Sequence, residues 1–296
     1  MDRFAPLAAP GDRTSAARLA LLAALAALPA ACTPARPPHP RAAEEVRRGY
    51  AHLAAGDQER AEVAFEHALE IEPAFPEAQN GIGIALRLQG RLAPARGWWE
   101  AAAAAGLAEA RSNLGEALAA EGREDAALEA FAEALRFDPD LLAPRLDRAR
   151  LLLRRGLAAR GAERAAWLAL ARQDLLHLVE ARGDLAEAHR DLGYVAWAQG
   201  DAGFSAASYA RAAEIAPGDP DAHHGHCAAL VLLGRCAEAA AACGRCLAVD
   251  PLHPRCRTSL AGARACLAAP PAAGKTNGAP LRGAPSTSAG SFSGDR

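Results

Sequence analysis

Residues 49–76 read GYAHLAAGDQERAEVAFEHALEIEPAFP. Gly49 and Gly56 come first, Ala61 and Phe65 follow, then Ala68, and Pro73 closes the stretch. The same order returns down the chain. Gly56, Gly90, Gly122, Gly156, Gly200 and Gly234 are separated by 34, 32, 34, 44 and 34 residues. A second series, Gly49, Gly83, Gly115 and Gly193, runs beside it, and an aromatic in an alanine setting recurs at Phe65, Trp99 and Phe131. A period near 34 residues marks stacked helix–turn–helix units. Repeats of this kind build a surface and seldom an active site.

The totals agree with that reading. A chain of 296 residues has the length of two globular domains, but a stacked array extends one core indefinitely. Alanine and leucine supply most of the apolar half, and Ala, Leu, Arg and Glu all favour helix. Val, Ile, Tyr and Phe are sparse, which disfavours sheets. The net charge of −2 gives no electrostatic reason for nucleic acid or anionic lipid. Lys275 is the only lysine, so arginine carries nearly all the positive charge.

From Ala42 onward the order of residues resembles the tetratricopeptide repeat (TPR). In that family a small residue on the first helix (A) meets a small residue on the second (B). An aromatic one turn later fills the wedge between them, and a proline ends the unit because it cannot continue the helix. The units run 42–75, 76–107, 108–141, 142–185, 186–219 and 220–253. The second ends on Gly106-Leu107 in place of proline. The fourth holds about ten extra residues, and 160–182 reads as one lengthened B helix. Asp219-Pro220 pairs a cap residue with a first-turn proline. Residues 254–268 form a capping helix, and 269–296, rich in Gly, Pro, Ser and Thr, reads as a disordered tail. The expected fold is all-α, a TPR-type α-solenoid of about six repeats plus a C-terminal cap.

The resemblance implies that the A helices line a concave groove that holds a protein or peptide segment. Its expected lining is Tyr50, Asn80, Ile84, Arg87, Arg150, Arg190, Tyr194 and Trp197. Tyr50, Ile84, Tyr194 and Trp197 would anchor apolar side chains. Arg87, Arg150 and Arg190 would pair with a partner's carboxylates through the guanidinium fork. The lysine and asparagine set with which some TPR grooves hold chaperone tails is absent.

The N-terminus reads as an address. Arg3, Arg13 and Arg18 precede LALLAALAAL at 19–28, an apolar run too short to span a bilayer but suited to a secretory signal. Ala30-Ala31-Cys32 resembles a bacterial lipobox, although Pro29 stands where leucine is usual. The resemblance implies removal of 1–31 and lipidation of Cys32. Ordinary export and a cytosolic extension are the alternatives. Residues 32–41 form a proline-rich tether. The localisation this implies is the cell envelope, at the outer membrane and facing the periplasm. The partners expected are protein segments, with the membrane touched through the lipid anchor alone. TPR lipoproteins of about six repeats include the pilotins of type IV pilus secretins, which the chain resembles in repeat number and anchor.

Six further cysteines, Cys227, Cys236, Cys243, Cys246, Cys256 and Cys266, crowd into forty residues. Four readings stay open. They pack as small apolar side chains. They form disulfides, with Cys246–Cys256 and Cys236–Cys266 favoured by facing helices. His223, Cys227, Cys243 and Cys246 hold a metal, on a spacing that matches no common finger. Or Cys243 and Cys246 work as a redox CxxC, though such motifs sit at a helix start and this one falls within a helix. No phosphate-binding loop, zinc-protease motif or nucleophile elbow occurs, so neither enzyme activity nor a cofactor is expected. A soluble cytosolic adapter, or a metal- or thiol-handling protein, is the alternative function.

Overall fold

The computed structural model describes residues 37–268. The expected leader, Cys32 and the tail lie outside these residues. The unit that begins at Pro40 carries thirteen described helices. They are α1 (Pro40–Ala54), α2 (Gln58–Ile71), α3 (Pro76–Leu88), α4 (Leu92–Ala104), α5 (Ala108–Ala120), α6 (Glu124–Phe137), α7 (Leu142–Ala158), α8 (Gly161–Ala181), α9 (Ala186–Gln199), α10 (Ala202–Ile215), α11 (Pro220–Leu232), α12 (Cys236–Val249) and α13 (Pro254–Ala268). Odd-numbered helices up to α11 are the A helices and even-numbered ones the B helices. No strand occurs among the described residues. The fold is an all-α, TPR-type solenoid. The expected tether gives way early, because Pro40 already opens α1; a proline there lacks only an amide that has no helical partner.

Local chemistry sets the helix ends. Gly56, Gly90, Gly122, Gly200 and Gly234 have φ between 70° and 84°, the left-handed turn that ends an A helix. Asp57 and Asp201 cap the following B helices by accepting the amides of Arg60 and Phe204, each at 3.0 Å. Asp219 accepts the amides of Asp221 and Ala222 at the start of α11. Gly156 departs from the expected turn series. It lies inside α7, and the left-handed glycine of this repeat is Gly161, at φ 56°.

The second glycine series has a different cause. A Cβ at Gly49 would stand 2.5 Å from Phe65 Cε1, one at Gly115 2.6 Å from Phe131 Cε1, and one at Gly193 2.8 Å from Tyr209 Cδ2. Only hydrogen fits beneath these rings. A Cβ at Gly81 or Gly225, on the A helix of the next repeat, would also strike Phe65 or Tyr209. Each of these two rings therefore bridges three helices. Phe65, Trp99 and Phe131 are all but fully buried, each worth about 2–3 kcal/mol of apolar burial.

Contacts between repeats are unequal on the two sides. Each A helix touches the A helix of the next repeat, and α11 touches α13, whereas no B helix touches the next B helix. The stack closes up on the A side, so the A helices line the inside of its curve.

Repeat four is longer in both helices. α7 has 17 residues and α8 has 21, against 13 or 14 in most others. No aromatic fills its wedge. Leu168, Leu175 and Leu178 do so, and Gly156 lets Leu168 close to where a Cβ would be 2.8 Å away. Beside them Asp174 is 3% exposed and takes a bidentate pair from Arg148, at 2.8 and 2.6 Å. That pair satisfies a carboxylate that would otherwise be costly to bury.

Candidate functional site

The inner face begins at α1. Tyr50 is half open, its ring edge-on to Phe65 at 5.1 Å. Asn80 is not open to a partner as expected. It is 4% exposed and accepts from Asn113 Nδ2 at 2.7 Å. Ile84 packs against the core of the first two repeats. These side chains join A helices to one another.

The three arginines are also engaged inside the chain, which corrects the expectation that they await a partner. Arg87 approaches Glu116 at 3.9 Å. Arg150 on α7 donates to Asp191 at 2.7 Å and Glu187 at 2.5 Å, both on α9. Arg190 on α9 donates to Asp219 at 2.8 Å. Burial works against the Arg150 charge, but Asp191 and Glu187 outweigh it and hold the guanidinium above its ordinary pKa. The pairing is physical economy: three half-buried cations in a narrow face are stabilised by neighbours one repeat away.

Sequence reading passed over the carboxylate this network leaves out. Asp147 on α7 lies three residues before Arg150, the spacing that puts both on one helix face. Among the described residues it has no ion pair within 4 Å. Burial pushes its pKa up to about 7, and Glu116, Glu187 and Asp191 push the same way against the single opposing charge of Arg150. Glu116 on α5 is also raised, first by burial. Glu116, Asp147, Glu187, Asp191 and Asp219 gather here with Arg87, Arg150 and Arg190.

Next to this cluster, Tyr194 and Trp197 of α9 stack, their centroids 5.8 Å apart and planes 12° from parallel. Both rings are half-buried. Their spacing puts them on one side of α9, an apolar step beside the acidic one.

The cysteines lie in the last three helices and are joined in pairs. Cys227–Cys243 ties α11 to α12, Cys246–Cys256 ties α12 to α13, and Cys236–Cys266 spans the same two helices again. Their Cα separations of 5.4, 6.3 and 5.8 Å suit a disulfide. The first pair was not anticipated, since both residues read equally well as packing positions. The metal candidates His223, Cys227, Cys243 and Cys246 do not form a metal set here. His223 is buried with Nε2 2.9 Å from the Pro217 carbonyl oxygen, while Cys227 and Cys243 are bonded to each other and Cys246 to Cys256. Cys243 and Cys246 are not bonded to each other. Among the described residues no helix is long and apolar enough to cross a membrane.

Residues 46–75 and 108–141 match the tetratricopeptide repeat family model. The chain carries TPR repeats, and solved TPR structures share its fold. One is PilW, described as a widely conserved type IV pilus biogenesis factor: TM-score 0.61, 16% identity, 75% of this chain and 99% of that one. Another is YrrB, described as a TPR protein with an unusual peptide-binding site: TM-score 0.55, 18% identity, 66% and 97% coverage. A third is the APC/C hetero-tetramer Cut9–Hcn1, at TM-score 0.58 and 13% identity; 83% of this chain aligns and spans 45% of that chain's length. Identities this low carry the fold alone. No curated protein matches the chain by sequence.

Proposed function

We propose that this protein is a non-catalytic docking scaffold of the cell envelope. Its inner A-helix face holds an extended partner segment that places a basic side chain against Asp147 and Glu116 and an apolar one on the Tyr194–Trp197 stack. Asp147 carries this reading. A half-buried carboxylate with no ion pair within 4 Å, in a face that pairs its other charges, is stabilised when a partner supplies an ammonium or guanidinium. The peptide-binding site in the description of YrrB supports the general mode.

Three disulfides support export, because such bonds persist in oxidising compartments. Cys32 is then the anchor. The likeness in fold to PilW supports a role in assembling a surface machine of the pilus type.

The test is fluorescence anisotropy with extended peptides of equal length bearing Lys, Gln or Glu at one central position. The Lys peptides bind best, and Asp147→Lys and Trp197→Ala each weaken them at least tenfold. Equal affinity for all three peptides, or unchanged binding by both variants, overturns the groove reading. The anchor has its own test. Cys32→Ser leaves the membrane fraction and loses the lipid mass; unchanged partition and mass overturn it.

A further inference from the structure

We infer that Cys246, His253 and Cys256 form a zinc(II) site when the bond between the two cysteines is open. The site stands apart from the inner face and does not depend on the docking reading. Cys246 projects from α12 and Cys256 from the first turn of α13, while His253 immediately precedes α13. Both cysteines are 0% exposed and His253 is 8% exposed. One donor atom from each lies within 4.8 Å of the other two. Zinc bonds of about 2.0–2.3 Å need donors roughly 3.5–4 Å apart, so the two sulfurs, once unbonded, spread from each other while the imidazole closes on them by up to about 1 Å.

The surroundings fit a metal-binding imidazole. His253 Nδ1 accepts the Cys256 amide at 3.2 Å, which assigns its proton to Nε2, so ligation goes through Nδ1 and exchanges that hydrogen bond for the bond to zinc. Nε2 stands 3.5 Å from Asp221 Oδ1, and Arg255 holds the same oxygen at 3.1 Å. A carboxylate on the far side of a ligating imidazole fixes its tautomer and orientation. Two thiolates and a neutral imidazole cancel the zinc charge, so burial strands no net charge. Three protein donors leave a tetrahedral ion one position for water.

Metal and disulfide exclude each other here. A protein dithiol, the reductant class required, transfers two electrons and two protons to the bridge and becomes a disulfide itself. Cys246 and Cys256 are then thiols. Zinc displaces both thiol protons and forms two Zn–S bonds.

The test uses the full chain, reduced, with Zn²⁺ alone as probe, and follows alkylation of each cysteine by mass spectrometry. Zinc slows Cys246 and Cys256 at least tenfold and leaves Cys227, Cys236, Cys243 and Cys266 unchanged. His253→Asn, which keeps a capping side chain for α13, removes this protection at the same zinc concentration. The disulfide-bonded protein takes up no zinc. The inference is overturned if zinc protects all six alike or none, or if His253→Asn is protected as well as the parent. Circular dichroism of the variant confirms that helix content is retained.

Discussion

Arg150 on α7 and Asp191 on α9 meet at 2.7 Å across a repeat boundary. The guanidinium is less than one-third exposed and Asp191 less still, so solvent screens the pair only partly. Arg150→Ala leaves Asp191 without this partner and Asp147 without its nearest opposing charge. Stability should fall by about 1–3 kcal/mol, read as the urea midpoint at pH 8. A midpoint equal to the parent's would show that the bridge joins the repeats without stabilising them.

Asp147 should make the protein less stable as pH rises. Its folded carboxyl titrates at about 7 against an ordinary 3.8, so its protonated form is the one the fold favours. The stability this allows is complete below about 4 and is lost as pH rises through 7. Glu116, Arg150, Glu187 and Asp191 are the charged groups that act on it. Asp147→Asn should therefore raise stability more at pH 8 than at pH 5, by about 1–3 kcal/mol. Equal gains at both pH values would remove the strained carboxylate from the account.

Much of this could be read from residue types. A glycine seven residues before another, followed by an aromatic among alanines, dictates two helices and a left-handed turn. Steric rules that act within a few residues make such patterns readable. Gly156 misled because its spacing suits a turn, whereas its cause is Leu168 pressing on α7. Gly81 and Gly225 were missed as packing sites because their partners, Phe65 and Tyr209, belong to the preceding repeat. The intramolecular pairs of Arg87, Arg150 and Arg190 could not be read from residue types. Their partners lie 29 to 41 residues away, a distance at which sequence shows composition but not contact. Asp147 left one faint trace, its spacing from Arg150.

The two kinds of helical glycine should respond oppositely to alanine. Gly97 on α4 has nothing within 4 Å of a new Cβ, so Gly97→Ala should stabilise by about 0.5–1 kcal/mol. Gly115→Ala pushes a methyl group against Phe131 and should destabilise by about 1–3 kcal/mol. Thermal melts of both variants decide this, and a shift of the same sign in each would refute the packing explanation.

Cys266→Ser removes one of the two bridges between α12 and α13. Amide hydrogen exchange should quicken in α13 and stay unchanged from α1 to α10, with a stability loss of about 2–4 kcal/mol. Faster exchange throughout would mean that the array opens as one body.

Because every disulfide among the described residues gathers in α11–α13, the two ends of the array differ in mechanical character. Neighbouring units support one another in series, so loss of order propagates along the line. With one extremity riveted, melting has a preferred direction: it starts near Pro40 and travels toward α13. A pulling force or a protease would meet the weaker extremity first, and the acidic step at Asp147 would dissolve while the riveted segment still stood.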